Sequence, residues 1–151
     1  MEFTDYTCPF CQQVRPNVNS FVERYPQFAV GFRFLPRGTE DSPAARATVA
    51  AICADEQGRF SAMHSLLYEQ ATRPGEADWS SLASTAGVRD LPAFEDCLQS
   101  ERPRVRLEED ARLARELGIS GTPTFVHSGG VHLGGAELED FERMLASQLS
   151  R

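Results

Sequence analysis

The sequence predicts an α/β fold: a mixed sheet built from a βαβ unit and a later β-hairpin, closed by a terminal helix and interrupted by an all-helical insertion. Three observations carry this. A strand-like opening runs into a helical pattern and then into alternating Phe and Val. From Ser42 to Leu117 helical patterns follow one another with little strand signal, and strand signal returns after Gly118 around a Gly-Gly pair.

Met1–Tyr6 alternates enough to be a strand, and it reads as the inside of one, so the expectation is that the natural chain starts earlier. Pro9 stands where the first helical turn tolerates proline. Cys11–Tyr25 then carries Val14, Val18, Phe21 and Val22 at helical spacing. In "QFAVGFRFLP" Phe28, Val30, Phe32 and Phe34 alternate as a strand does. The connection is long enough for a right-handed crossover between parallel strands.

Five helices are predicted next. Ser42-Pro43 opens "SPAARATVAAICADE", which stops before Gly58. "FSAMHSLLYEQ", "DWSSLASTAG" and "LPAFEDCLQS" follow. "RPRVRLEEDARLARELG" is the longest, closed by Gly118 as a C-terminal cap. "TPTFVHSGGVHLGG" then reads as two strands around a Gly-Gly turn. "ELEDFERMLASQLS" is an amphipathic helix with Leu138, Phe141, Leu145 and Leu149 on one face. The chain is therefore expected to be a single domain over 1–151, with an α/β core at 1–41 and 118–151 and a helical insertion at 42–117.

Composition narrows the function. The 151 residues are 41% hydrophobic and 25% charged, enough for one domain with a real core. The net charge of −7 argues against nucleic acid or an anionic membrane as the main partner, since both need a basic face. All 15 basic residues are Arg, which excludes Schiff-base chemistry, a Walker A loop and a Ser–Lys dyad. No apolar run approaches the ~18 residues needed to span a bilayer.

The chemistry concentrates in "EFTDYTCPFCQQVRP". A cysteine at a helix start meets unpaired N–H groups and the positive end of the dipole, both of which favour thiolate. Cys8 is thus expected to be the acidic, exposed nucleophile. Cys11 lies one turn on, close enough to pair with Cys8 and to resolve a mixed disulfide. A zinc site would need two more ligands, yet there is no second C-x-x-C, and His64, His127 and His132 are scattered. A merely structural disulfide is a second alternative. The redox dithiol is preferred because strand–C-x-x-C–helix is the context that chemistry uses.

"GISGTPTFV" is the second signal. Thr122-Pro123 precedes a strand, where proline is unwelcome. A cis bond there would leave free backbone groups able to pair with an extended substrate.

Taken together, these features resemble the DsbA-type thioredoxin-fold thiol:disulfide oxidoreductases, over essentially the whole chain. The matching residues are "EFTDYTCPFC", Pro16, the insertion with "CADEQGRF", and "GISGTPTFV". The resemblance implies a thioredoxin-like fold in which Cys8 attacks substrates, Cys11 resolves, and cis Pro123 faces the disulfide. It implies that Thr122 supplies backbone hydrogen bonds to a bound peptide beside Pro9 and Phe10, and that Glu2 is a buried acid assisting proton transfer. It further implies a dithiol oxidase acting on reduced or misoxidised proteins, with no dissociable cofactor. The implied compartment is periplasmic or otherwise extracytoplasmic, with re-oxidation by a quinone-linked membrane partner. The same couple run backwards would be a reductase or isomerase, and a non-catalytic binding module is the alternative from another class.

Phe10 departs from the family's strongest oxidants, which carry His there. Lowering a thiol pKa by ~3 units stabilises the reduced form by about 4 kcal/mol, on the order of 90 mV. Without a protonated His, a milder oxidant is expected.

Cys53 and Cys97 fall on two helices of the insertion, either as buried thiols or as a structural disulfide. Extracytoplasmic relatives often carry such a pair, and the resemblance favours the disulfide. His64 is expected in a surface or capping role, and His127 and His132 as cross-strand neighbours. A Cys–His hydrolase would leave Cys11 and Pro123 without purpose. "RPRVR" reads as a solvated face.

Overall fold

The structure, a computed structural model, describes residues 1–70 and 77–146. Its sheet is small. β1 (Glu2–Thr4) pairs in parallel with β2 (Phe32–Phe34) on one side and antiparallel with β3 (Thr124–His127) on the other. β4 (Gly130–Leu133) completes the order β2-β1-β3-β4. The parallel β1–β2 pair is joined through α1 (Pro9–Arg24), as the crossover rule requires.

Five helices separate β2 from β3: α2 (Pro43–Asp55), α3 (Phe60–Gln70), α4 (Trp79–Thr85), α5 (Leu91–Gln99) and α6 (Arg102–Glu116). Three of the starts have a local cause. Ser42 caps α2 through Ala45 N, Asp78 caps α4 through Ser81 N, and Asp90 caps α5 through Ala93 N. α6 ends as expected, with Gly118 at φ +68°, where a Cβ would be strained. The closing helix α7 runs over Leu138–Met144; Leu149 lies outside the described residues.

Three apolar clusters hold these layers together. Val14, Val18 and Phe21 of α1 meet Phe125 and Phe141 on one face of the sheet. Phe3, Ala114 and Ile119 pack on the other. The largest joins α2–α5 to Tyr6, Phe34 and both cysteines of the C-x-x-C motif. The helices between β2 and β3 therefore cover the dithiol rather than standing apart from it.

Several expectations need correction. The second strand is three residues long, not ten, because its pairing partner is the three-residue β1. Phe28 and Val30 alternate because they pack against the α1–α7 cluster, not because they pair. The hairpin turns on Ser128-Gly129, with Gly130 already opposite His127. That register sets His132 opposite Phe125, so His127 and His132 are offset and not direct cross-strand neighbours.

His64 is neither superficial nor a cap. It is buried, with Nδ1 2.8 Å from the Tyr6 hydroxyl and its ring among Tyr6, Phe32, Phe60 and Tyr68. Its pKa is pushed down to about 4, by burial first and by Arg15 second. "RPRVR" is a solvated face that is also an ion-paired one. Arg102 meets Glu56, Arg104 meets Glu40, and Arg106 reaches the fully buried Asp110. Asp110 also accepts from Arg33 and from Phe34 N, fastening α6 to β2.

Candidate active site

The active-site loop is shaped before the first cysteine. Asp5, fully buried, accepts through Oδ1 from Thr7 N at 2.7 Å and Thr7 Oγ1 at 2.8 Å. Its Oδ2 accepts from Arg37 N at 2.9 Å, tying this loop to the one after β2. These bonds turn the chain out of β1 so that Cys8 becomes the N-cap of α1, with extended backbone angles and Pro9 in the first turn.

Cys8 Sγ donates to the Thr122 carbonyl oxygen at 3.3 Å across 114 residues of sequence. The Thr122–Pro123 peptide bond is cis, Pro123 is fully buried, and its carbonyl accepts from Gly134 N at 2.8 Å. Cys8 and Cys11 are free thiols here, and Cys53 and Cys97 are joined as a disulfide.

The expected exposed nucleophile is instead tucked in: Cys8 is 4% exposed and Cys11 not at all. The cause is the inward turn of Sγ onto the Thr122 carbonyl, which the Thr122-Pro123 segment closes over. Beside Cys8, Pro9 is exposed and Phe10 presents 61% of its surface, an apolar platform next to the sulfur.

The two thiols are driven apart electrostatically. Burial pushes Cys8 up, but the Thr122 hydroxyl, the Cys11 thiol and the backbone N–H groups of Phe10 and Cys11 outweigh it, and the net shift is downward. For Cys11 burial wins. Its pKa rises to about 12, with the hydroxyls of Thr122 and Thr4 only partly offsetting the loss of water. One sulfur is thus prepared as thiolate and the other held as thiol.

Thr122 Oγ1 is buried and, in this dithiol state, without a hydrogen-bond partner, though it stands near enough to both sulfurs to favour their anions. A hydroxyl donates to a thiolate far better than to a thiol, so this donor is satisfied only once charge develops. Glu2 is buried on β1, its carboxyl raised to about 7 chiefly by burial, with the Thr4 hydroxyl and the Met1 ammonium opposing. Sequence reasoning passed over Thr4, Asp5, Tyr6 and Tyr68. Thr4 had a usable signal, standing two residues from Glu2 on the same strand face. Tyr68, reaching in from α3, had none.

These features describe a dithiol centre at a helix N-terminus beside a cis-proline segment, and residues 1–147 match the family profile described as thioredoxin. The chain belongs to the thioredoxin family. Its fold is similar to that of DsbA2 from Pseudomonas aeruginosa, with a TM-score of 0.76 and 23% identity over 97% of this chain and 86% of that one. It is also similar to a periplasmic thioredoxin-like protein from Salmonella enterica serovar Typhimurium, with a TM-score of 0.71 and 21% identity over 99% and 83% of the two chains. The thioredoxin family and the thioredoxin-like fold implied by the resemblance read from the sequence are therefore both present. Among curated proteins, Na(+)/H(+) antiporter NhaA 1 of Salinispora arenicola is 32% identical over 147 residues, 97% of this chain. The chain spans only 21–22% of the length of the curated relatives it matches. No helix of the described residues is long and apolar enough to cross a membrane.

Proposed function

We propose that this protein is a dithiol oxidase, passing the Cys8–Cys11 disulfide to reduced or misoxidised proteins through a mixed disulfide at Cys8. The observation that carries this reading is the placing of the two sulfurs, Cys8 at the N-cap of α1 against Thr122 and Cys11 fully buried behind it, which favours thiolate at Cys8 and thiol at Cys11. A stabilised Cys8 thiolate is a good leaving group and favours the reduced enzyme, and a couple that prefers its reduced form is oxidising. The substrate thiolate attacks Cys8 Sγ, and Cys11 leaves and is protonated. A second substrate thiolate then displaces Cys8, leaving a disulfide in the substrate and a dithiol in the enzyme.

In this reading Thr122 and Pro123 hold an extended peptide, Pro9 and Phe10 offer it an apolar contact, and Glu2 exchanges protons with the buried side of the dithiol. Cys53–Cys97 is structural, bracing a helical segment, 42–117, inserted into the core formed by 1–41 and 118–151. The setting is extracytoplasmic, supported by that second disulfide and by the periplasmic protein of like fold. Antiporter-named relatives, of which the matched segment is about a fifth, suit a module working beside a membrane, with a quinone-linked membrane partner re-oxidising it.

The test is a redox titration of the whole chain in glutathione buffers, with thiols trapped and mapped. A Cys8–Cys11 potential of about −120 to −150 mV supports the oxidase, whereas about −270 mV makes the protein a reductase. Failure of Cys8 to exchange at all, with partner binding intact in Cys8→Ser, would make it a binding module instead.

A further inference from the structure

Cys11 is fully buried and resists ionisation, yet every turnover must put a proton on it or take one off. In the buried layer beneath it lies Glu2, whose carboxyl burial raises to about 7. Between them stands a hydroxyl. Strand alternation puts the side chains of Glu2 and Thr4 on one face of β1. Thr4 is fully buried, and its hydroxyl interacts with both the Glu2 carboxyl and the Cys11 thiol. Its third neighbour is the hydroxyl of Tyr68, 2.5 Å away on α3.

Counting protons assigns the roles. Either hydroxyl can donate across this contact; with the Tyr68 phenol held protonated by burial, the arrangement that keeps Thr4's own hydrogen available has Tyr68 donating to Thr4 Oγ1. That leaves Thr4 its single hydrogen, and two acceptors compete for it: the Glu2 carboxylate and the Cys11 thiolate. We propose that Thr4 is the proton relay between Cys11 and Glu2, held in place by Tyr68, which makes Thr4 a catalytic residue and Tyr68 a positioning one. This rests on the disulfide-exchange reading and adds to it the route by which the buried sulfur is protonated.

The step balances in both directions. When a substrate thiolate attacks Cys8 Sγ, the Cys8–Cys11 bond breaks and Cys11 leaves with the electron pair. Thr4 gives its hydrogen to Cys11 Sγ and takes one from protonated Glu2, which is left as carboxylate. When Cys11 instead resolves a mixed disulfide, its proton goes to Thr4 Oγ1 and Thr4's own goes to Glu2. Cys11 Sγ bonds to Cys8 Sγ, and the substrate departs as thiolate.

The titratable groups facing this layer come from every element around it. They are the Met1 ammonium and Tyr6 on or beside β1, Cys8 at the start of α1, and Tyr68 on α3. His64 binds the Tyr6 hydroxyl, and Arg15 of α1 lies 5.5 Å from the Tyr68 ring centroid.

The test loads Cys8 of the full chain with 5-thio-2-nitrobenzoate and follows its release as Cys11 attacks, across pH. Wild-type release should show a limb with its midpoint near 7, the pKa of Glu2. Thr4→Val should slow release at pH 7 on the order of 10²-fold and abolish that limb, and Thr4→Ser should restore both. Tyr68→Phe should fall between them, and alkylation of Cys8 should stay as in wild type throughout. A Thr4→Val protein that keeps the limb overturns the relay, and so does a loss that Thr4→Ser does not rescue. If Thr4→Val does not fold, a proton inventory on wild-type release decides. A curved plot means two protons in flight and supports the relay, while a straight one overturns it. No release from the wild type at all would sink the exchange reading itself, a result distinct from a working exchange that ignores Thr4.

Discussion

Cys8 Sγ and the carbonyl oxygen of Thr122 lie 3.3 Å apart, joining the first helix to the turn before β3 across 114 residues. The contact keeps the Cys8 sulfur covered while it is a thiol. A thiolate has no hydrogen to donate, so ionisation frees the sulfur and brings the idle Thr122 hydroxyl into play.

Alkylation of Cys8 should therefore rise with pH to a plateau whose midpoint lies below that of an ordinary thiol, about 8.5. Cys11 should stay inert until the pH nears 12. Thr122→Val removes the hydroxyl and should move the Cys8 midpoint upward. Iodoacetamide labelling read by mass spectrometry, peptide by peptide, checks all three; an unmoved midpoint would leave the backbone N–H groups of Phe10 and Cys11, with the Cys11 thiol, as the source of the shift.

Glu2 and His64 should oppose each other in the pH dependence of stability. Glu2 is raised to about 7 in the fold, so its contribution is fully present below about 4.5 and is lost as pH rises through 7. His64 is lowered to about 4, so its contribution is present above about 6.5 and is lost as pH falls through 4. Each is worth roughly 3 kcal/mol at its limit, and between pH 4.5 and 6.5 the slopes nearly cancel. Urea unfolding should be almost flat there in the wild type. Glu2→Gln should make stability rise with pH, and His64→Gln should make it fall; identical slopes in the two variants would refute the assignment.

Replacing Cys53 and Cys97 together by Ala should cost roughly 4 kcal/mol for a loop of 44 residues in the chain-entropy account. The Cys8–Cys11 potential should move by less than about 15 mV, well under the ~30 mV of a tenfold change in the equilibrium. Denaturant midpoints and the glutathione titration read the two effects separately. A shift of the active-site potential comparable to the stability loss would mean that the bridge acts on the dithiol.

Much of this was legible in the residues because its causes are local. Ser42, Asp78 and Asp90 sit at helix starts, Gly118 closes α6, and Pro9 follows a cysteine at the one helical position that welcomes proline. Part of the dithiol's polarity follows from the same local rule, since backbone N–H groups at the start of α1 favour the Cys8 thiolate, whereas the Thr122 hydroxyl and the burial that raises Cys11 come from the tertiary fold. The sequence by itself therefore determined the order of elements, the α/β class and the placing of Cys8 and Cys11 at a helix start.

Tertiary structure decided what depends on partners far along the chain. Burial of His64 required Tyr6 and Phe32 to close over α3, and no pattern within "SAMHSLLYE" distinguishes that face from a solvated one. Asp110 reads as one more acid in "EED" until β2 brings Arg33 and the Phe34 amide to it. Thr4 becomes a site residue only because Tyr68, 64 residues away, meets its hydroxyl, and the cover over Cys8 exists only because Thr122 arrives from the other end. Helix caps and redox motifs are written in adjacent residues, whereas burial and proton paths arise when distant surfaces exclude water together.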